Sequence, residues 1–232
     1  MEDKDLESRL YDKSYTCPVC DKKFKNKEIK KGKTIFVEMN LGLRGKFKPI
    51  MPDYYYVVMC DECGYAAVSK TFNKTTQKQA KKIREKVNPN YKPRKYHTIY
   101  DTNDVIDRYK VALYFCYLKD STMSERGYIC EKLAFLYAEL NDEEKELKYN
   151  KYAYECYMEA YKKENLPIMG MEENQFVYTL AYLAYKIGNN DEARKFLSKI
   201  IVKRNLSTTL KEKVDDFVTI LKLEKREDEN KA

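Results

Sequence analysis

From Asp104 onward, apolar residues recur three and four positions apart: Ile129, Leu133, Tyr137 and Leu140, then Phe176, Leu180, Ala184 and Ile187, then Leu210, Val214, Phe217 and Leu221. That spacing puts each set on one stripe of an α-helix and predicts an all-helical carboxyl-terminal half. The first part of the chain follows another rhythm. Thr34-Ile35-Phe36-Val37 and Tyr54 to Met59 are short β-branched and aromatic runs, punctuated by Gly32, Gly42, Gly45, Pro49 and Pro52, which predicts short strands. Thr75 to Val87 reads as a polar helix, and Asn88-Pro89-Asn90-Tyr91-Lys92-Pro93-Arg94 breaks the pattern with two prolines. The expected organisation is a β-rich unit over 1–74, a basic helix and proline-containing linker over 75–103, a helical unit over 104–226, and a frayed charged tail over 227–232.

Two stretches of the helical half align, Leu133-Ala134-Phe135-Leu136-Tyr137-Ala138-Glu139-Leu140-Asn141 with Leu180-Ala181-Tyr182-Leu183-Ala184-Tyr185-Lys186-Ile187-Gly188. The second continues into Asn189-Asn190-Asp191-Glu192-Ala193 and is similar to the tetratricopeptide pattern, in which small residues let paired helices approach and a glycine makes the turn. Two such units are too few for a free solenoid, so helices at about 104–119 and 208–225 are expected to cap the ends.

Four cysteines change the picture of the first half. Cys17-Pro18-Val19-Cys20 and Cys60-Asp61-Glu62-Cys63 are two C-x2-C knuckles, and a pair of knuckles supplies the four thiolates of a closed tetrahedral metal shell. Such a shell leaves no position for water or substrate and therefore reads as structural. Zinc is the expected ion, with iron the lesser alternative. Gly64 suits the tight turn behind the second knuckle. The fold class expected is α+β: a small β-rich four-cysteine zinc ribbon followed by an all-α, tetratricopeptide-like helical-hairpin domain.

Charge is uneven. Residues 1–100 hold 23 Lys and Arg against 12 Asp and Glu, whereas the remaining 132 hold 22 against 25. The sharpest cluster is Lys22, Lys23, Lys25, Lys27, Lys30, Lys31 and Lys33 around Phe24, which reads first as a solvated loop and alternatively as a phosphate-contacting, nucleic-acid-binding patch. Lys78, Lys81, Lys82, Arg84 and Lys86 could extend it. The 22 tyrosines, dense at Tyr149, Tyr152, Tyr154, Tyr157 and Tyr161, suit both packing and a partly exposed groove. Leu166-Pro167-Ile168-Met169-Gly170-Met171 reads as a turn between helices.

Several function classes are disfavoured. His97 is the only histidine, so multi-histidine and His-based hydrolytic sites are not expected, and the chain has no Walker lysine loop, dinucleotide glycine fingerprint or zinc-protease helix. The longest apolar run, Val111 to Leu118, is too short to cross a bilayer. Cys116, Cys130 and Cys156 fall in helical apolar patterns, as reduced core thiols do, which points to the cytoplasm.

Taken together, Tyr15-Thr16-Cys17-Pro18-Val19-Cys20, Pro52 with Tyr54 to Tyr56, Cys60-x-x-Cys63-Gly64-Tyr65-Ala66, Lys132-Leu133-Ala134-Phe135-Leu136-Tyr137 and Leu166 to Met171 resemble a bacterial domain-of-unknown-function family, DUF2225. The resemblance implies a zinc-ribbon-like amino terminus and tetratricopeptide-like helices, and carries over no activity. The expected function is a non-enzymatic cytoplasmic adaptor that binds a protein or peptide through its helices. A nucleic-acid-associated module using Lys22 to Lys33 is the first alternative, and a thiol redox protein using Cys17 and Cys20 is the second.

Overall fold

In the computed structural model, which describes residues 2–87, 91–203 and 205–231, a short helix α1 (Glu2–Ser8) leads into an antiparallel hairpin of β1 (Leu10–Thr16) and β2 (Lys23–Ile29). The lysine run is thus largely a strand and not the expected loop. Its period of two explains why: Phe24 and Asn26 turn inward and are buried, while Lys23 and Lys25 face water. Phe24 packs against Tyr15, directly across the ladder, and against Phe72. A second hairpin joins β3 (Ile35–Met39) to β4 (Gly45–Lys48), with a register shift between Phe36 and Glu38. The third joins β5 (Val57–Met59) to β6 (Ala66–Val68). The Tyr54 to Met59 run becomes a strand only at Val57, because Pro52 opens a 3-10 turn through Tyr55.

Helix α2 (Gln77–Lys86) begins at a capping box in which the Thr76 side chain accepts from Gln79 N and the Gln79 side chain accepts from Thr76 N. Asn88, Pro89 and Asn90 of the expected linker lie outside the described residues. The helical half follows as α3 (Thr102–Leu118), α4 (Met123–Glu139), α5 (Glu143–Lys163), α6 (Glu173–Lys186), α7 (Asn190–Ile201) and α8 (Thr208–Lys231). Consecutive helices from α3 to α8 pack on one another. The charged end continues α8 to Lys231 where fraying was expected, and its Glu, Lys and Arg residues are good helix formers.

The aligned stretches fall on α4 and α6 and end alike. Asn141 and Gly188 both adopt positive φ, Asp142 N donates to Tyr137 O as Asn189 N does to Ala184 O, and the Asp142 and Asn189 side chains cap α5 and α7. Ala181 and Ala193 are fully buried. Most of the α5 tyrosines serve packing: Tyr157 is buried against Phe176, Tyr149 stacks on Tyr137, and Tyr161 meets Phe176 and Phe196, which leaves Tyr152 exposed.

The expected end cap α3 is instead the junction, packed on β5 and β6 as well as on α4, so the ribbon and the helices share one core. Its buried Arg108 donates through Nη2 to Asn26 Oδ1 (2.8 Å) and Val57 O (2.7 Å), with the guanidinium over the rings of Tyr96 and Tyr100. Tyr109 Oη donates to Asp53 O nearby. Replacing Arg108 with Met takes the guanidinium from both oxygens and leaves Asn26 Oδ1 only the longer bond from Met59 N (3.4 Å); urea unfolding should record a loss of about 2–5 kcal/mol.

Candidate metal centre

Each knuckle forms the tip of a hairpin, Cys17 and Cys20 between β1 and β2, Cys60 and Cys63 between β5 and β6. The two tips are built alike. Asp21 N donates to Cys17 O (3.0 Å) and Cys17 N to Lys22 O (3.0 Å); Gly64 N donates to Cys60 O (2.9 Å) and Cys60 N to Tyr65 O (2.9 Å). Asp21 (φ 59°) and Gly64 (φ 75°) both take the left-handed conformation that lets the chain turn back behind the second cysteine. Glycine is also required at 64 by space, since a Cβ there would sit 2.3 Å from the Tyr91 ring. From the helical side, Arg84 Nη1 donates to Val19 O (2.5 Å) and steadies the first knuckle.

The four sulfurs meet in one place. Cys17 Sγ lies 3.6 Å from Cys63 Sγ, Cys20 Sγ lies 3.8 Å from Cys60 Sγ, and all four fall within 4.8 Å of one another. A disulfide needs about 2.05 Å. A tetrahedral ion with metal–sulfur bonds of about 2.3 Å sets the sulfurs about 3.8 Å apart, so the donor set fits a metal ion and is consistent with zinc. Cys17, Cys60 and Cys63 are buried, and Cys20 is partly exposed. Hydrogen bonds from Cys60 and then Cys63 pull the Cys17 thiol down to about 4, while the Cys17 and Cys60 interactions push Cys63 up. Sulfurs this close oppose one another's ionisation, and a divalent cation is what would let all four ionise.

The lysine run stands beside this centre without touching the sulfurs. Lys22, Lys23, Lys25, Lys30, Lys31 and Lys33 are exposed; Lys27 pairs with Asp12 (2.9 Å), and Lys30 Nζ donates to Ser8 O (2.8 Å). In the basic helix, Lys82 pairs with Asp120 and Lys81 with Glu85. Phe24, the one ring within the run, is spent on the core. His97 joins Asp101 and Asp104 in a second, exposed group: His97 Nδ1 is 2.7 Å from Asp104 Oδ2, and the Asp101 side chain caps α3. Burial pushes the Cys116 thiol up to about 12 and raises those of Cys130 and Cys156, as suits inert core thiols. Among the described residues, no helix is long and apolar enough to cross a membrane.

Sequence reasoning found all four cysteines and Gly64 but missed Asp21, Arg84 and Tyr91. Asp21 had a legible cue, because Asp tolerates the left-handed turn that Gly64 makes at the same offset from its knuckle.

A four-cysteine group on small antiparallel hairpins, followed by a helical domain, defines an α+β protein with a candidate metal centre. The chain belongs to the family described as "Uncharacterized protein conserved in bacteria (DUF2225)", whose model matches residues 10–221. No curated protein and no solved structure matches the chain.

Because binding free energy at such a site is folding free energy, stripping the metal from purified protein with a strong chelator should lower the melting temperature by about 10 °C or more. Cys17→Ser should reproduce that fall; circular dichroism melts follow both.

Proposed function

We propose that the chain is a non-enzymatic protein-interaction module whose ribbon is locked by a structural zinc ion. What supports zinc is the four-thiolate donor set, which leaves no open coordination position for catalysis. A reducing, cytoplasmic setting suits its free thiols.

The observation that carries the interaction reading is strand β3. Ile35, Phe36 and Val37 are 69%, 51% and 46% exposed, on a strand that among the described residues pairs only with β4, which leaves its outer edge open there. An open apolar edge is a template for strand addition. Lys30, Lys31, Lys33 and Lys48 are exposed around it, and Glu38 is engaged by Lys46 (3.2 Å). The partner that fits is an extended, acidic and apolar segment of another protein; a second copy would bring lysines against lysines. This reading puts the docking surface on the ribbon, whereas the sequence suggests the helices. Selection from a random twelve-residue peptide display library should yield a consensus alternating acidic with apolar positions, lost on an Ile35→Ser/Phe36→Ser variant. A consensus unaffected by those substitutions, or none, refutes the reading.

The outward face of β2 favours a second reading, contact with nucleic acid, because Lys23 and Lys25 stand there opposite Thr16 and Ser14. Retention of a labelled single-stranded oligonucleotide that falls steeply with salt and with Lys22→Glu/Lys23→Glu/Lys25→Glu would support it; salt-independent retention, or none, would dismiss it.

A further inference from the structure

Where the ribbon meets the helices, a cleft of about 360 Å³ lies between hairpin β3–β4, the 3-10 turn, α4, α6 and the loop at Met169. That is the size range of small-molecule sites. None of its lining residues belongs to the four-cysteine group.

Two side chains from α4, one turn apart, line it while being more than nine-tenths buried: Tyr128 (8% exposed) and Glu131 (7%). Tyr157 Oη donates to Glu131 Oε2 (2.9 Å). Among the described residues, Glu131 Oε1 and Tyr128 Oη have no hydrogen-bond partner, yet neither atom is sealed from solvent. Each therefore keeps a hydrogen-bonding position turned to the cleft, which water fills and a bound group could take.

The charges around them indicate what that is. Lys70 Nζ and Lys132 Nζ lie 5.7 and 5.2 Å from the Tyr128 ring centroid. Lys70 makes one hydrogen bond, to Met169 O (3.0 Å), and an ammonium has three donors. Of the two acids in the wall, Asp53 is already engaged by Arg44 Nε (3.1 Å) and Lys132 Nζ (3.3 Å), and Arg44 also pairs with Glu139. Burial raises both the Tyr128 hydroxyl and the Glu131 carboxyl above their ordinary ranges, which keeps the Tyr128 hydroxyl a donor. The lining therefore sets the Tyr128 hydroxyl and two ammonium groups beside two acids that are each already engaged, Asp53 by Arg44 and Lys132 and Glu131 by Tyr157. Val68, Met169 and Met171 supply an apolar wall.

We propose that this cleft binds a small organic oxyanion, a carboxylate or phosphate ester of metabolite size, held by Lys70 and Lys132 with its oxygens toward the Tyr128 hydroxyl. The cleft takes none of its lining from β3 or from the four cysteines, so the strand-addition reading can fail while this one stands.

The test is thermal denaturation and calorimetric titration of the metal-loaded protein with inorganic phosphate and, separately, with succinate, each against sodium chloride of equal ionic strength. At ten times the dissociation constant, the oxyanion should raise the melting temperature by about 3–6 °C. Tyr128→Phe removes an unpartnered hydroxyl and Lys70→Met an exposed ammonium, so both variants should fold, and each should weaken binding about tenfold. Lys195→Met, on the solvent face of α7 and outside the cleft, should leave it unchanged. A response to phosphate alone assigns a phosphate ester, and a response to succinate alone a carboxylate. No saturable response to either probe beyond the chloride control, or binding unchanged in both cleft variants, overturns the proposal.

Discussion

The meeting of four sulfurs at the tips of two hairpins is the constraint on which the ribbon depends. β5 and β6 are three residues each, and a two-stranded hairpin of that length has no stability of its own in water. Bringing Cys17 to Cys60 closes a long loop at an entropic cost that grows only slowly with its length. The β3–β4 hairpin lies within that loop and gains its position from the closure. The two knuckles also carry matching backbone hydrogen bonds, so each presents its sulfurs from a backbone already shaped for the purpose.

The seam between ribbon and helices is held differently, by buried polar groups. Arg108 sits on two tyrosine rings with an amide and a carbonyl as acceptors, Arg44 ties Asp53 to Glu139, and Lys119 pairs with Glu125 (3.3 Å), which also accepts from Thr71 Oγ1. Burial alone would push Glu125 up; Lys119 and the hydrogen bonds it accepts bring it below the ordinary range. Such pairs add little net stability over apolar packing, but losing one partner is expensive, so they tolerate few alignments. An apolar seam would permit sliding; this one fixes the ribbon against α3 and α4. The cleft at that seam inherits its rigidity.

What was legible in the sequence was what is local. C-x2-C spacing names its ligands because both members of a knuckle lie within one turn of chain, and Gly188 marks a helix end through its own backbone freedom. The lysine run misled because six of its seven lysines are exposed whether the backbone is loop or strand; the cue to the strand was Phe24 and Asn26 alternating with Lys23 and Lys25. The cleft was not legible at all. Its residues come from six separate segments, and Glu131 occupies a position that reads as the polar side of a helix until α4 is found to be buried almost all round. The role of α3 escaped for a related reason: periodicity shows that a helix has an apolar face but not which neighbour covers it.

The unequal cover over the four sulfurs has a kinetic consequence. Three of them are shut away, the second knuckle is closed by Tyr91 lying against Gly64, and only Cys20 is partly open to solvent. An ion held there would exchange through the Cys20 side, and an oxidant or competing thiol would meet that sulfur first. Ligand loss would then be ordered and not random: the first hairpin would lift away while the second, anchored on α3, still held two sulfurs in place to recapture the ion.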